Sequence, residues 1–247
     1  MRLSSRQFFA ATCVLLALVA ILVASQNADP VHDPGNDAEH LRQLRDGGAV
    51  IVRSADGLLV DSITFTRDRV RPSHIELLPH VGPIRSLSFD ACRQMDVNWL
   101  TPLGSLRSLK SLNLGGTGVG DDCMPIVGTL TELKELFLWR THVSDDGVKA
   151  LQYLPELEVL NLWDTATTDG VIDILIELPR LRRVYLGSSP EPQTDFQEGV
   201  WQFPASDLTA SAVQRLRDTR PDLTVIYWSA GHSKEAPQMP AIAADSG

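Results

Sequence analysis

Apolar residues return along this chain with a fixed beat. The pattern L-x-x-L-x-L occurs at Leu109/Leu112/Leu114, Leu133/Leu136/Leu138 and Leu157/Leu160/Leu162, with a variant at Leu181/Val184/Leu186, and each start lies 24 residues after the last. Upstream, Ile84/Leu87/Phe89 and Val60/Ile63/Phe65 extend the series at steps of 25 and 24 residues. Leu223/Ile226/Trp228 closes it after a step of 42 residues. Self-similarity at such a period marks a stacked repeat. Within each triplet the apolar side chains alternate, which predicts a short strand. The second half of each unit changes to helical spacing, as in Met124/Val127/Leu130, Val148/Leu151/Leu154 and Ile172/Leu175/Leu178.

Polar positions keep the same register. Cys92, Thr117, Thr141, Thr165 and Ser189 recur after the triplets, and Asp96, Asp121, Asp145 and Asp169 recur four residues later. About seven buried apolar side chains per unit, at ~1.5–3 kcal/mol each, do not outweigh ~1–2 kcal/mol per residue of backbone entropy. One unit therefore cannot fold alone, and stacking must supply the missing contacts. The chain resembles the leucine-rich-repeat proteins, in the bacterial exported form reading L-x-x-L-x-L-x-x-T-x-V-[ST]-D-x-G. The resemblance implies an α/β solenoid of about seven units, with a parallel concave β-sheet and convex helices.

The ends of the repeat predict caps. Residues 37–59 combine an amphipathic helix, Asp37 to Asp46, closed by Gly47-Gly48, with a hairpin of Ala49–Arg53 and Leu58–Phe65 around Asp56-Gly57. The repeat domain then spans 60–228, with an insertion at 190–207, a last helix over Ser211 to Arg217, and a disordered tail at 229–247. At the other end, Arg2 and Arg6 precede an apolar run of 17 residues, Phe8 to Ala24, interrupted by Thr12 alone, and acids follow at Asp29 and Asp33. Residues 1–25 read as an export signal, and the bulk of the chain is expected outside the cytoplasm, in the periplasm or cell envelope. Val23-Ala24-Ser25 suits a cleaved signal peptide, whereas 17 residues at ~1.5 Å each nearly span a ~30 Å bilayer and suit a membrane anchor. Residues 26–36 read as a linker.

Most candidate sites have a structural role as the simpler reading. The Asp96, Asp121, Asp145 and Asp169 series reads as N-caps of the convex helices, and the Thr series as satisfying buried turns. Gly115 to Gly120 lacks the Gly-Lys-Ser/Thr ending of a phosphate loop. Six scattered His give no metal-ligand spacing, and no nucleophile motif appears, so no cofactor, metal or enzymatic activity is expected. Cys92 and Cys123 stand at different offsets of adjacent units and read as small buried residues. A net charge of −9 argues against nucleic acid as partner.

The aromatics are the departure. Strand residues flanking the leucines face out of the sheet, and in the later units these include Phe137, Trp139, Trp163, Tyr185 and Tyr227. Arg140, Asp164, Arg183 and Glu135 give them a charged rim, and the insertion adds Trp201. An apolar centre with an Arg-bearing rim has the anatomy of a binding hot spot. The expected function is an extracytoplasmic module that binds a protein partner through this half of the concave face. Two alternatives stay open: an architectural protein of the envelope, and, with weaker support, a carbohydrate binder. The insertion offers a competing account of the aromatics, by folding over Trp163 and Tyr185.

Overall fold

A computed structural model describes residues 34–55, 59–65, 69–188 and 206–228. Eight strands form one sheet in chain order: β1 Ala49–Arg53, β2 Val60–Phe65, β3 Ile84–Ser88, β4 Ser111–Asn113, β5 Glu135–Phe137, β6 Val159–Asn161, β7 Arg183–Gly187 and β8 Thr224–Trp228. Among the described residues, only β1 and β2 pair antiparallel; every later pair is parallel. The helices are α1 Pro34–Asp46, α2 Pro72–Leu77, α3 Val97–Leu100, α4 Met124–Val127, α5 Asp145–Val148, α6 Val171–Glu177 and α7 Ala210–Thr219, several continued by a 3-10 turn. This is an α/β leucine-rich-repeat solenoid.

Register explains why the leucine beat is so strict. Leu87, Leu112, Leu136, Leu160 and Val184 are successive Cα partners across β3 to β7. They are fully buried, so the inner face of the sheet is one continuous apolar ridge. Leu151, Leu175 and Leu216 close it from the convex side, and Leu41 and Leu44 of α1 cover the first rungs. After each strand the chain turns through a left-handed residue: Ala91, Gly116, Arg140 and Asp164, with φ between 52 and 66°. Each donates its N–H to the next rung's carbonyl, as from Arg140 to Trp163 at 2.9 Å. The Thr series completes this corner. Thr117, Thr141 and Thr165 are buried and donate their hydroxyls to the carbonyls of Leu114, Leu138 and Leu162 at 2.5–2.7 Å.

The aspartates do something other than simple capping. Asp96 caps its own helix, accepting the Asn98 N–H at 2.9 Å. Asp121, Asp145 and Asp169 instead reach across to the next rung. Asp121 accepts the N–H of Ser144 at 2.7 Å and its hydroxyl at 2.6 Å. Asp145 holds Thr168 in the same way at 2.9 and 2.5 Å, and Asp169 holds Thr209 at 2.7 and 2.8 Å. Each hydroxyl then caps its own helix turn, Ser144 accepting from Asp146, Thr168 from Gly170 and Thr209 from Ala212. The S/T-D pair is therefore a relay between rungs. Asp96 is excluded from it because the matching position, Gly120, carries no hydroxyl. Gly147 leaves room for the relay, since a Cβ there would lie 2.3 Å from Asp121 Oδ1.

The relay also fixes where the chain rejoins the stack after the insertion. Asp207 donates its N–H to the Thr167 carbonyl at 3.1 Å, and Thr209 takes the place held by Ser144 and Thr168 in earlier rungs. The insertion from 190 to 205, with Trp201, lies outside the described residues, as do the Asp56-Gly57 turn, the tail at 229–247, and the apolar run from 8 to 24. Among the described residues no helix is long and apolar enough to cross a membrane.

Candidate functional site

On the concave face the sheet changes character along its length. The outward positions of β3 and β4 carry Ser86, Ser88, Ser111 and Asn113, whereas β5 to β8 carry Glu135, Phe137, Val159, Asn161, Arg183, Tyr185, Thr224, Ile226 and Trp228. Two of the polar residues are structural: Asn113 and Asn161 accept the N–H groups of Gly115 and Trp163 through Oδ1, at 2.8 and 3.0 Å. The equivalent residue between them is Phe137, whose side chain cannot accept such a bond.

Beyond the strand ends four side chains assemble. Arg140 and Asp164, consecutive left-handed corner residues, form an ion pair at 3.2 Å with side chains only 16% and 11% exposed. The Arg140 guanidinium lies 4.9 Å from the Trp163 ring centroid and 5.9 Å from that of Trp139. Such stacking adds about 0.5–2 kcal/mol of cation–π attraction, more as water is excluded. The Trp139 indole lies against the previous rung, where Gly115 gives it room: a Cβ on Gly115 would sit 2.0 Å from Trp139 Nε1. Non-glycine residues in the left-handed region cost roughly 1–2 kcal/mol each. Gly116 occupies the same corner without that cost, whereas Ala91, Arg140 and Asp164 bear it, each held by its N–H bond to the next rung's carbonyl.

The aromatics do not lie open. Phe137, Trp163 and Tyr185 retain only 6%, 5% and 8% of their surface, and Asp164 is buried as well. They form a floor on the outer side of the sheet rather than the exposed apolar patch expected from strand alternation alone. Among the described residues, Trp163 Nε1 is buried without an acceptor. Trp139 and Arg140 keep partial access, and Arg183 is exposed.

Tyr227 lies on the inner face of the sheet, not on the concave face where alternation from Leu223 and Ile226 places it. The β7–β8 register pairs Leu186 with Tyr227 and Tyr185 with Ile226, so Tyr227 turns toward the core and Ile226 and Trp228 turn outward. Its hydroxyl donates to the Leu208 carbonyl at 2.9 Å, which satisfies the polar tip of a core-facing ring. The expected triplet Leu223/Ile226/Trp228 is thus replaced on the inner face by Val225 and Tyr227. A one-residue slip exchanges the two faces of a strand. Both faces of Thr224–Trp228 are apolar, so alternation gave no warning; the polar tip of Tyr227, which needs a partner inside, was the available hint.

Other candidates stay apart. Cys92 and Cys123 are buried and not joined to each other, and burial pushes the Cys123 thiol up to about 12. Among the described residues no three His, Cys, Asp or Glu side chains could jointly hold a metal.

No protein-family model matches the sequence, and no curated protein matches it. Among solved structures, the chain is similar to the Arabidopsis receptor kinase HAESA, determined with the peptide hormone IDA and the co-receptor SERK1. The TM-score is 0.49 and the identity 16%, over 79% of this chain and 33% of that one. It is also similar to an internalin from Listeria monocytogenes (TM-score 0.39, identity 13%, 66% of this chain and 44% of that one). A third is the leucine-rich-repeat ectodomain of the receptor kinase SOBIR1 from Arabidopsis thaliana (TM-score 0.37, identity 17%, 63% of this chain and 93% of that one). The chain spans about a third of the length of the first and under half of the second.

Proposed function

We propose that the chain is a protein-binding module, working outside the cytoplasm, that takes its partner on the concave face over β5 to β8. The observation that carries this reading is the Trp139–Arg140–Trp163–Asp164 assembly. The stacking of rungs does not require it, since Asp90-Ala91 and Gly115-Gly116 serve the same positions in earlier rungs. Trp139, Arg140, Arg183 and Trp228 make the contact, and Phe137, Trp163, Asp164 and Tyr185 form the rigid floor that presents them. Pre-ordered side chains lose little entropy on binding, which favours affinity. The extracytoplasmic setting rests on Arg2, Arg6 and the apolar run that follows.

Affinity capture from envelope extract tests the reading, using residues 26–247 beside a Trp139→Ser/Arg140→Ala variant with an unchanged circular dichroism spectrum. A protein retained by the first and lost by the second is the expected result. Equal retention by both overturns the site.

An assembly role is favoured by a different observation. Val50 and Val52, on the concave side of terminal strand β1, are 57% and 47% exposed. Exposed apolar edge strands template pairing with another chain. Under this reading mass rises with concentration in light scattering, and Val50→Lys/Val52→Lys abolishes the rise.

A further inference from the structure

A second feature of the concave side is an open pocket of about 490 Å³ at the N-terminal ends of β6, β7 and β8. It is lined by Glu158, Val159, Arg182, Arg183, Asp222 and Thr224. Its charges are unevenly matched. Glu158 pairs with Lys134 at 3.6 Å. Asp222 is gripped by both nitrogens of the Arg220 fork, each at 2.9 Å, and that bond holds its carboxyl below the usual carboxylate range. Arg220 is itself anchored to the carbonyls of Ile176, Leu178 and Leu181 at 2.9–3.1 Å, so Asp222 is not released to other cations. Arg182 and Arg183 are exposed, and among the described residues neither makes an ion pair or a side-chain hydrogen bond. Both acids of the pocket are thus neutralised from outside it, and two guanidinium forks remain unmatched in a chain of net charge −9.

We propose that this pocket binds the carboxylates of an acidic peptide segment, with Arg182 and Arg183 as its cationic contacts. A guanidinium matches a carboxylate with two parallel hydrogen bonds, and two adjacent forks match two acidic side chains of one extended segment. Thr224, on the same outward row as Arg183, adds a hydroxyl donor. The inference rests on the interaction-module reading for the class of partner. It adds that partner's chemistry and a second contact at the opposite strand ends from Trp139 and Arg140.

The test uses the same 26–247 chain and a fluorescein-labelled peptide with three consecutive glutamates, compared with its glutamine counterpart by fluorescence anisotropy. The chain binds the glutamate peptide and not the glutamine one. Arg182→Ala/Arg183→Ala weakens binding by about tenfold or more, as for loss of charge-assisted pairs. Arg85→Ala/Arg180→Ala changes net charge equally but removes arginines already paired with Asp61 and Glu156, and leaves affinity within about twofold. If the alanine variant misfolds by circular dichroism, Arg182→Gln/Arg183→Gln carries the same expectation. Equal binding of both peptides, or equal weakening in the two double variants, overturns the proposal. A chain that captures a partner through Trp139 and Arg140 yet ignores the glutamate peptide keeps the module reading and loses this one.

Discussion

Asp145 shows how a single residue holds two rungs together. Its carboxylate takes both the N–H and the hydroxyl of Thr168, and Thr168 in turn caps the start of the next helix turn. Hydrogen bonds to charged groups contribute about 1.5–3 kcal/mol when buried and less when half-exposed, so Asp145→Ala is expected to cost about 1–2 kcal/mol in urea unfolding. A double-mutant cycle with Thr168→Ala should recover a coupling of at least about 0.5 kcal/mol. A coupling near zero contradicts the relay. His74 gives a prediction in pH. It stacks 6.2 Å from Phe65 against the first rung, and burial lowers its pKa below the ordinary value, with Arg71 assisting. The unfolded chain therefore binds the proton more readily than the folded one. Stability is complete above the ordinary histidine value near ~6.5 and declines as pH falls through it toward the lower folded value. His74→Gln should flatten that decline in thermal melts between pH ~5 and ~7.

At the scale of elements, the last strand is the sharpest test of register. Tyr227→Phe removes the bond to the Leu208 carbonyl and is expected to cost about 0.5–1.5 kcal/mol without touching partner binding, whereas Trp228→Ser should weaken capture. The reverse pattern restores the outward Tyr227. Five rungs, their strands and their helices were legible in the sequence because each leucine must meet its counterpart 24 residues on. The last rung was not, because the insertion broke that count and Val225, Ile226, Tyr227 and Trp228 fit either face. The aspartate series was visible as a series but not as a relay. Its partner lies 23 residues away, a distance that acquires meaning only once two rungs are stacked. Likewise Phe137, Trp163 and Tyr185 could be placed on the outer face from alternation, yet their burial could not, because alternation assigns a face and not an exposure.

For the molecule as a whole, the proposed binding face is separate from what holds the solenoid together. The leucine ridge, the threonine corners and the aspartate relay lie within or behind the sheet. The concave side between Trp139 and Trp228 stands apart from them, with its arginines at both strand ends. Substitutions there can change binding while leaving the stack intact, which is what a binding surface on a repeat scaffold allows. Amide hydrogen exchange on the chain, alone and with its captured partner, tests this most directly. Protection gained over β5 to β8 and the Trp139–Arg140 and Trp163–Asp164 corners, with the convex helices unchanged, is the predicted result. Protection confined to the convex helices or to β1 would contradict it.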